Sequence, residues 1–328
     1  MIALALWGST LVKMGKNYRE IWVGDETAAL ACVLLGTAAG FGRPPAQGDT
    51  YDPRSRESLQ KGIYPSRDDL ARELAQLKNL FEKYGVTVLQ PPVLPNTNQV
   101  FVRDAAFVIE DKFVRSNIIP DRQRELDALQ GLIPQIEPHD YIVPPVAVHI
   151  EGGDVIVWHD HLFVGVYTGP DYAGLSTART NAAAPHFLRE TFPHKTVKPF
   201  ELVKSNIDPR KNVLHLDCAF QPVGKDKAIL YRDGFLNERD YFYLVDYFGA
   251  ENIFEVTAVE AYHLATNVFS ITPELVVVEQ NCKRLKRHME TRWNLQVEAV
   301  PYGEVAKIGG LLRCTTLPLK RKKATTQK

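Results

Sequence analysis

Four separated segments of this 328-residue chain carry polar residues where buried strands would call for apolar ones. They are Asn98-Gln99-Val100-Phe101-Val102-Arg103-Asp104, His149-Ile150-Glu151-Gly152-Gly153-Asp154, His215-Leu216-Asp217, and Gly309-Gly310-Leu311-Leu312-Arg313-Cys314. In the last, two glycines lead an apolar stretch to a cysteine, and Cys314 is the candidate nucleophile. A thiol acts as one only where a base and charge-stabilising partners converge on it. The other segments hold such groups: an imidazole at His215 and carboxylates at Asp104, Glu151, Asp154 and Asp217. Singly, each segment has a plainer reading. An Asp after Arg forms surface pairs, Glu-Gly-Gly-Asp makes turns, and His-x-Asp on a strand sets both side chains on one face, as a structural hydrogen bond would also require.

The composition excludes several classes. Lys+Arg and Asp+Glu balance at 39 each, so no global field recruits nucleic acid or an anionic membrane. The Lys320-Arg321-Lys322-Lys323 run, with the rest of 320–328, reads as a disordered basic tail. The four cysteines lie apart with no Cys-x-x-Cys pair, which argues against a zinc knuckle or disulfide framework and fits a reducing cytoplasm. The apolar start, Met1 to Trp7, is too short for a membrane span and has no basic residue ahead of it, so neither a targeting signal nor a transmembrane helix is expected. No metal site is expected: His159-Asp160-His161 lacks a third ligand nearby, and Glu260-Ala261-Tyr262-His263 is a single Glu-x-x-His. No cofactor is expected either, since Gly36 to Gly42 lacks nucleotide-loop spacing.

The elements that must position these groups repeat. From Ser66, Leu70, Leu74, Leu77 and Phe81 recur at steps of three and four, Ser66 with Asp69 resembles a capping box, and Gly85 stops the helix before a strand at Val86 to Leu89. The same order, helix, short break, strand, recurs at Asp121 to Ile133 leading to Asp140 to Val143, and at Ala178 to Phe192 leading to Lys195 to Val197. It recurs again at Glu238 to Phe248 leading to Asn252 to Val256, and at Lys283 to Arg292 leading to Leu295 to Val300. Strand-like runs lie between them at Ala31 to Leu35, Gln99 to Phe107, Val155 to Val166, Val213 to Phe220, Asn267 to Ile271 and Leu275 to Val278. Five units at this spacing suggest an internal repeat of ββαβ modules, without a linker that divides the chain. Residues 1–328 are therefore expected to form one catalytic domain, with 36–61 a candidate lid.

Taken together and in order, Phe-Val-Arg-Asp, Glu-Gly-Gly-Asp, His-Leu-Asp and Gly-Gly followed by Arg-Cys resemble the guanidine-modifying enzymes of the pentein superfamily. These are arginine deiminase, dimethylarginine dimethylaminohydrolase and glycine amidinotransferase. The resemblance covers about Val33 to Arg321 and implies an α/β fold, a five-module ββαβ pseudo-fivefold propeller. It implies a cysteine-dependent hydrolase of arginine or a related small guanidino compound, acting through a covalent amidino-thioether and giving a ureido product plus ammonia or amine. A guanidinium is planar, charged and resistant to attack, so carboxylates must hold its edges while a nucleophile reaches its carbon.

The resemblance assigns Cys314 as nucleophile, His215 as acid and base, Asp104 and Asp217 as edge clamps, and Glu151 beside His215. Asn98, Arg179, Arg313 and Asp154 are its candidates for substrate binding, although Arg313 is equally readable as a surface residue. The carboxylates are expected to raise the pKa of both Cys314 and His215. Cys218 is expected to face away from the site. Two alternatives stay open. An amidinotransferase would pass the group to an acceptor amine, and its pattern sets histidine where Arg313 stands. A non-catalytic pentein, like the ribosomal anti-association factor of this fold, would only bind. Homo-oligomerisation is left open.

Overall fold

A computed structural model describes residues 20–323. The expectations for Met1 to Trp7 and for 324–328 lie outside the described residues. The strands are β1 (Leu30–Leu35), β2 (Thr87–Leu89), β3 (Ala106–Ile109), β4 (Lys112–Arg115), β5 (Tyr141–Ile142), β6 (Val155–Trp158), β7 (His161–Val166) and β8 (Thr196–Glu201). They continue as β9 (Phe220–Val223), β10 (Lys227–Leu230), β11 (Ile253–Glu255), β12 (Phe269–Thr272), β13 (Leu275–Glu279), β14 (Gln296–Val300) and β15 (Thr316–Arg321).

They form five three-stranded sheets among the described residues, all of one plan. An antiparallel hairpin is followed by a crossover and a third strand parallel to the second, as in β6-β7-β8 and β12-β13-β14. Parallel strands need such a crossover, and the helical segment of each unit supplies it. In the remaining module the hairpin joins the two ends of the chain: β15 pairs antiparallel with β1, and β1 pairs parallel with β2.

Local chemistry explains the elements. The helix Arg67–Lys83 begins with the Ser66/Asp69 capping box and buries Leu70, Leu74, Leu77, Leu80 and Phe81 on one face, against Phe269, Val277 and Tyr302. Each such side chain stabilises the fold by about 1.5–3 kcal/mol. Gly85 follows at φ +72, a conformation that costs a Cβ-bearing residue strain.

Three expectations are corrected. Gln99 to Phe107 is not one strand, because Val102–Ala105 forms a helical turn before β3. His215-Leu216-Asp217 is not on a strand but on the tight turn Leu216–Cys218. Lys320 and Arg321 are not tail: they end β15, with Arg321 buried and its guanidinium bonded to the carbonyls of Ala28 and Ser270. The crossover at Pro120–Gly131 is a 3-10 helix, and that at Ala183–Thr191 is shorter than the expected span. No helix among the described residues is long and apolar enough to cross a membrane.

Candidate active site

The first strand of every module is preceded by a tight turn, and those turns meet. The turn at 102–105 packs on the one at 152–154, which packs on the one at 216–218. They carry Asp104 ahead of β3, Glu151 and Asp154 ahead of β6, and His215 and Asp217 ahead of β9. Arg313 and Cys314 stand ahead of β15. Close approach fixes the glycines. A Cβ on Gly153 would lie 2.6 Å from the His215 ring, and one on Gly310 would lie 2.4 Å from the Phe101 ring. Gly309, at φ +92, lies against the Asp52 carboxylate.

Cys314 is 2% exposed, and its Sγ lies 3.9 Å from Asp217 Oδ2. Arg103 N–H donates to the Cys314 carbonyl at 3.2 Å, which ties the cysteine's turn to the one bearing Asp104. Burial pushes the Cys314 thiol up, and the Asp217 and Asp104 charges push it further. His215 is completely buried, with Nε2 2.8 Å from Glu151 Oε2. Its Nδ1 lies 3.6 Å from Asp104 Oδ1, and neither atom has a hydrogen-bond partner among the described residues. Burial opposes charging the imidazole, yet Asp104, Asp154 and Glu151 together outweigh it and raise the pKa. Both directions agree with the sequence expectation.

Glu151 is the opposite case. Burial would lift its carboxyl, but Arg179, His215 and Arg122 hold it well below the usual range. Arg179 Nη1 donates to both Glu151 oxygens at 3.3 and 3.1 Å, while its Nη2 has no partner among the described residues. Arg122 donates to Asp104 Oδ2 at 2.7 Å, grips Glu125 through Nε and Nη2, and lies 3.5 Å from Glu151. Asp104, Glu151 and His215 together have the donor types and the spacing for a metal ion. Arg122 already stands between the two carboxylates and supplies positive charge there.

Arg313 is neither a surface residue nor a free cation facing a ligand. Its guanidinium donates to Asp217 Oδ2 at 2.9 Å, to Glu26 Oε1 at 2.8 Å and to the Val155 carbonyl at 2.7 Å. Asp154 Oδ1 accepts from Leu216 N–H at 2.9 Å and so holds the turn that bears His215, while its Oδ2 has no hydrogen-bond partner among the described residues. Asn98 is half-buried and lines a cavity of about 300 Å³ with Tyr51, Asp121, Arg122 and Glu125. It is not in hydrogen-bond contact with the Cys314 cluster, and its Oδ1 accepts from Val100 N–H. Cys218 does not face away, since its Sγ donates to Asp217 Oδ1 at 3.5 Å.

Sequence reasoning missed four contributors. Glu26 pairs with Arg313, Arg122 and Glu125 brace Asp104, and Asn267 Nδ2 donates to Cys314 Sγ at 3.3 Å. The segment 36–61 holds a 3-10 turn at Gln47–Asp49 and a helix at Pro53–Gln60, capped by Asp52, whose carboxylate lies against Gly309. The Tyr51 ring lies 5.7 Å from the Arg122 guanidinium carbon and 5.6 Å from that of Arg179.

Glu26 yields a test of this wiring. Burial alone would lift its carboxyl, yet Arg313 and Arg103 hold it at about 2 against an ordinary 4.5. A depressed carboxylate stabilises the fold above its unfolded pKa and loses that contribution as pH falls through the folded one. Wild-type protein is therefore expected to lose roughly 3 kcal/mol from this group as pH falls through that window. Urea unfolding at a series of acid pH values should show that part of the slope missing in Glu26→Gln. An identical slope in the two proteins would contradict the assigned ion pair.

No protein-family profile matches this sequence. The uncharacterized protein YkgA of Bacillus subtilis (strain 168) is 29% identical over 251 residues, 75% of this chain and 79% of that protein. Among solved structures, the chain superposes on an inosamine-phosphate amidinotransferase of Streptomyces griseus with a TM-score of 0.72 at 15% identity, covering 93% of this chain and 97% of that one. The N-terminal domain of ArgZ, a cyanobacterial arginine dihydrolase, gives a TM-score of 0.72 at 17% identity over 88% and 97%. SxtG, an amidinotransferase of Microseira wollei, gives 0.70 at 16% identity over 92% and 98%.

Proposed function

Given the pentein fold, we propose that this chain is a cysteine-dependent hydrolase of arginine or a closely related guanidino compound. One observation carries the reading. The turns of four modules bring Cys314, His215 and the carboxylates of Asp104, Glu151 and Asp217 together, all buried, with Asp104 Oδ1 and His215 Nδ1 unpartnered. Neighbours of the same fold include both an arginine dihydrolase and amidinotransferases, which supports guanidino chemistry.

The substrate guanidinium would sit between Asp104 and Asp217, its charge offsetting theirs. That offset lowers the cost of ionising Cys314, whose thiol the carboxylates otherwise hold protonated. Cys314 gives its proton to solvent as the cation binds, and Sγ then bonds to the guanidinium carbon while the C–N π pair moves onto a guanidinium nitrogen. The adduct collapses by breaking one C–N bond, as protonated His215 gives the Nδ1 proton to the departing nitrogen. Neutral His215 then takes a proton from water, whose oxygen bonds to the same carbon. The C–S bond then breaks with its electron pair on sulfur, which returns the thiolate, while the hydroxyl of the adduct gives its proton to solvent and becomes the carbonyl of the ureido product. Glu151 fixes the imidazole through Nε2 and stabilises its charged form, which leaves Nδ1 as the atom that exchanges protons.

Arg179, with one free N–H pair, and Asn98 in the adjoining cavity are assigned to the distal part of the substrate. Arg313 and Asp154 act instead as positioning residues, for Asp217 and for the His215 turn. Segment 36–61, which sets the Tyr51 ring beside Arg122 and Arg179, is assigned as the lid over the buried catalytic groups. Incubation with arginine, N-methylated arginines and agmatine, with and without glycine, tests the reading. A ureido product without acceptor is expected. Product that requires glycine would mean amidino transfer, and no turnover under any condition would leave a binding protein.

A further inference from the structure

Four modules place catalytic candidates on the turn ahead of their first strand, and the fifth has the same turn ahead of β12. There the turn bears Asn267, which is completely buried. Its own N–H donates to the Leu264 carbonyl at 2.9 Å, with Leu264 at φ +59, and the neighbouring Thr266 hydroxyl donates to the Asp217 carbonyl at 3.1 Å. The side chain is fixed at both ends. Asn267 Oδ1 accepts from the backbone N–H groups of Arg313 at 2.9 Å and Cys314 at 3.4 Å. Backbone amides can only donate, so they settle which end of the carboxamide is oxygen and turn Nδ2–H toward Cys314 Sγ.

We propose that Asn267 is a catalytic residue that donates its amide N–H to Cys314 Sγ and favours the thiolate, a role that rests on Cys314 being the nucleophile. The other charged and titratable groups facing the sulfur are Asp217, Asp104, Cys218, Tyr302 and Arg313. The carboxylates disfavour ionisation, and the Arg313 guanidinium is taken up by Glu26 and Asp217. Beside the Leu311 backbone amide, Asn267 supplies a neutral side-chain donor in direct contact with the sulfur. A donor bonds far more strongly to an anionic sulfur than to a neutral thiol, so its contact counts chiefly toward the ionised form.

Two substitutions separate this role from loop support. Asn267→Asp keeps an oxygen for the two backbone N–H groups but sets a carboxylate against the sulfur, whereas Asn267→Ala removes donor and acceptor alike. Both are read by the pH dependence of Cys314 alkylation with iodoacetamide, located by mass spectrometry, and by kcat and KM. The expected result is that Asn267→Ala slows alkylation at pH 8 about tenfold and lowers kcat about tenfold with little change in KM, and that Asn267→Asp is worse on both. If Asn267→Asp matches wild type while Asn267→Ala does not, or if neither alters the profile, the proposal is overturned. Should Asn267→Ala fail to fold, Asn267→Ser, too short to reach the sulfur, takes its place with the same expected order. Alkylation is read without turnover, so a wild-type protein inactive on every guanidine would count against the proposed function and leave this result standing on its own.

Discussion

Replacing Cys314 by alanine should lower guanidino turnover at least a thousandfold while leaving ligand binding within a few fold of wild type. In the proposed mechanism the sulfur is the atom that bonds to the guanidinium carbon, while the unpartnered His215 Nδ1 exchanges protons. Cys218 donates to Asp217, and the His215 Nε2 is held by Glu151. A thousandfold loss corresponds to about 4 kcal/mol of transition-state stabilisation. The clamp survives the change, since Asp104 is braced by Arg122 and Asp217 by Arg313, and neither pair depends on the thiol. Turnover measured by ureido product and binding measured by calorimetry check the two halves separately. Residual turnover above about a thousandth would remove Cys314 from the nucleophile role. Loss of binding together with turnover would show instead that the sulfur holds the turn in place.

What could be read from the residue order depended on whether a neighbour in sequence or a distant one sets the outcome. The helix Arg67–Lys83 was legible because its apolar spacing, cap and stop all lie within its own residues. The five-module plan was legible because each hairpin and crossover is a local pattern repeated. The mismatched polar residues of three turns could be recognised because a buried Asp, Glu or His stands out against its apolar surroundings. Asn267, in Thr-Asn-Val ahead of β12, reads as an ordinary strand entry, and only its distance to Cys314 marks it. Arg122 lies in Asp121-Arg122-Gln123-Arg124-Glu125, which reads as a solvated face, yet its side chain is 2% exposed because Asp104 and Glu125 enclose it. Arg321 was hidden in the same way by Lys320, Lys322 and Lys323. The burial of a charge is set by its tertiary partners, which composition does not reveal. One available signal was overlooked: a glycine pair ahead of an acid or a cysteine implies close approach by another element, here the His215 ring at Gly153 and Phe101 at Gly310.

The largest expected effect on stability comes from Arg313→Met. Arg313 joins two carboxylates from opposite parts of the chain, Glu26 ahead of β1 and Asp217 ahead of β9, and all three side chains are at most 4% exposed. Methionine fills much of the volume of the arginine stem but strips the buried Glu26 and Asp217 carboxylates of their directly bonded cation, leaving Glu26 only the Arg103 and Arg321 charges. Breaking such a pair by removing one partner typically costs about 3–5 kcal/mol, more than the lost attraction alone would suggest. Asp217 is also released from its orientation toward Cys314, so kcat should fall as well. The double variant Arg313→Met, Glu26→Gln separates the two contributions. Neutralising Glu26 removes one orphaned charge, so the double variant should be more stable than Arg313→Met alone, while its kcat stays low because Asp217 is still unbraced. Urea unfolding gives the first comparison and steady-state kinetics the second. Additive losses of stability in the double variant would mean that Glu26 and Arg313 are not energetically coupled. Recovery of kcat along with stability would mean that Arg313 serves the fold and not the orientation of the Asp217 clamp.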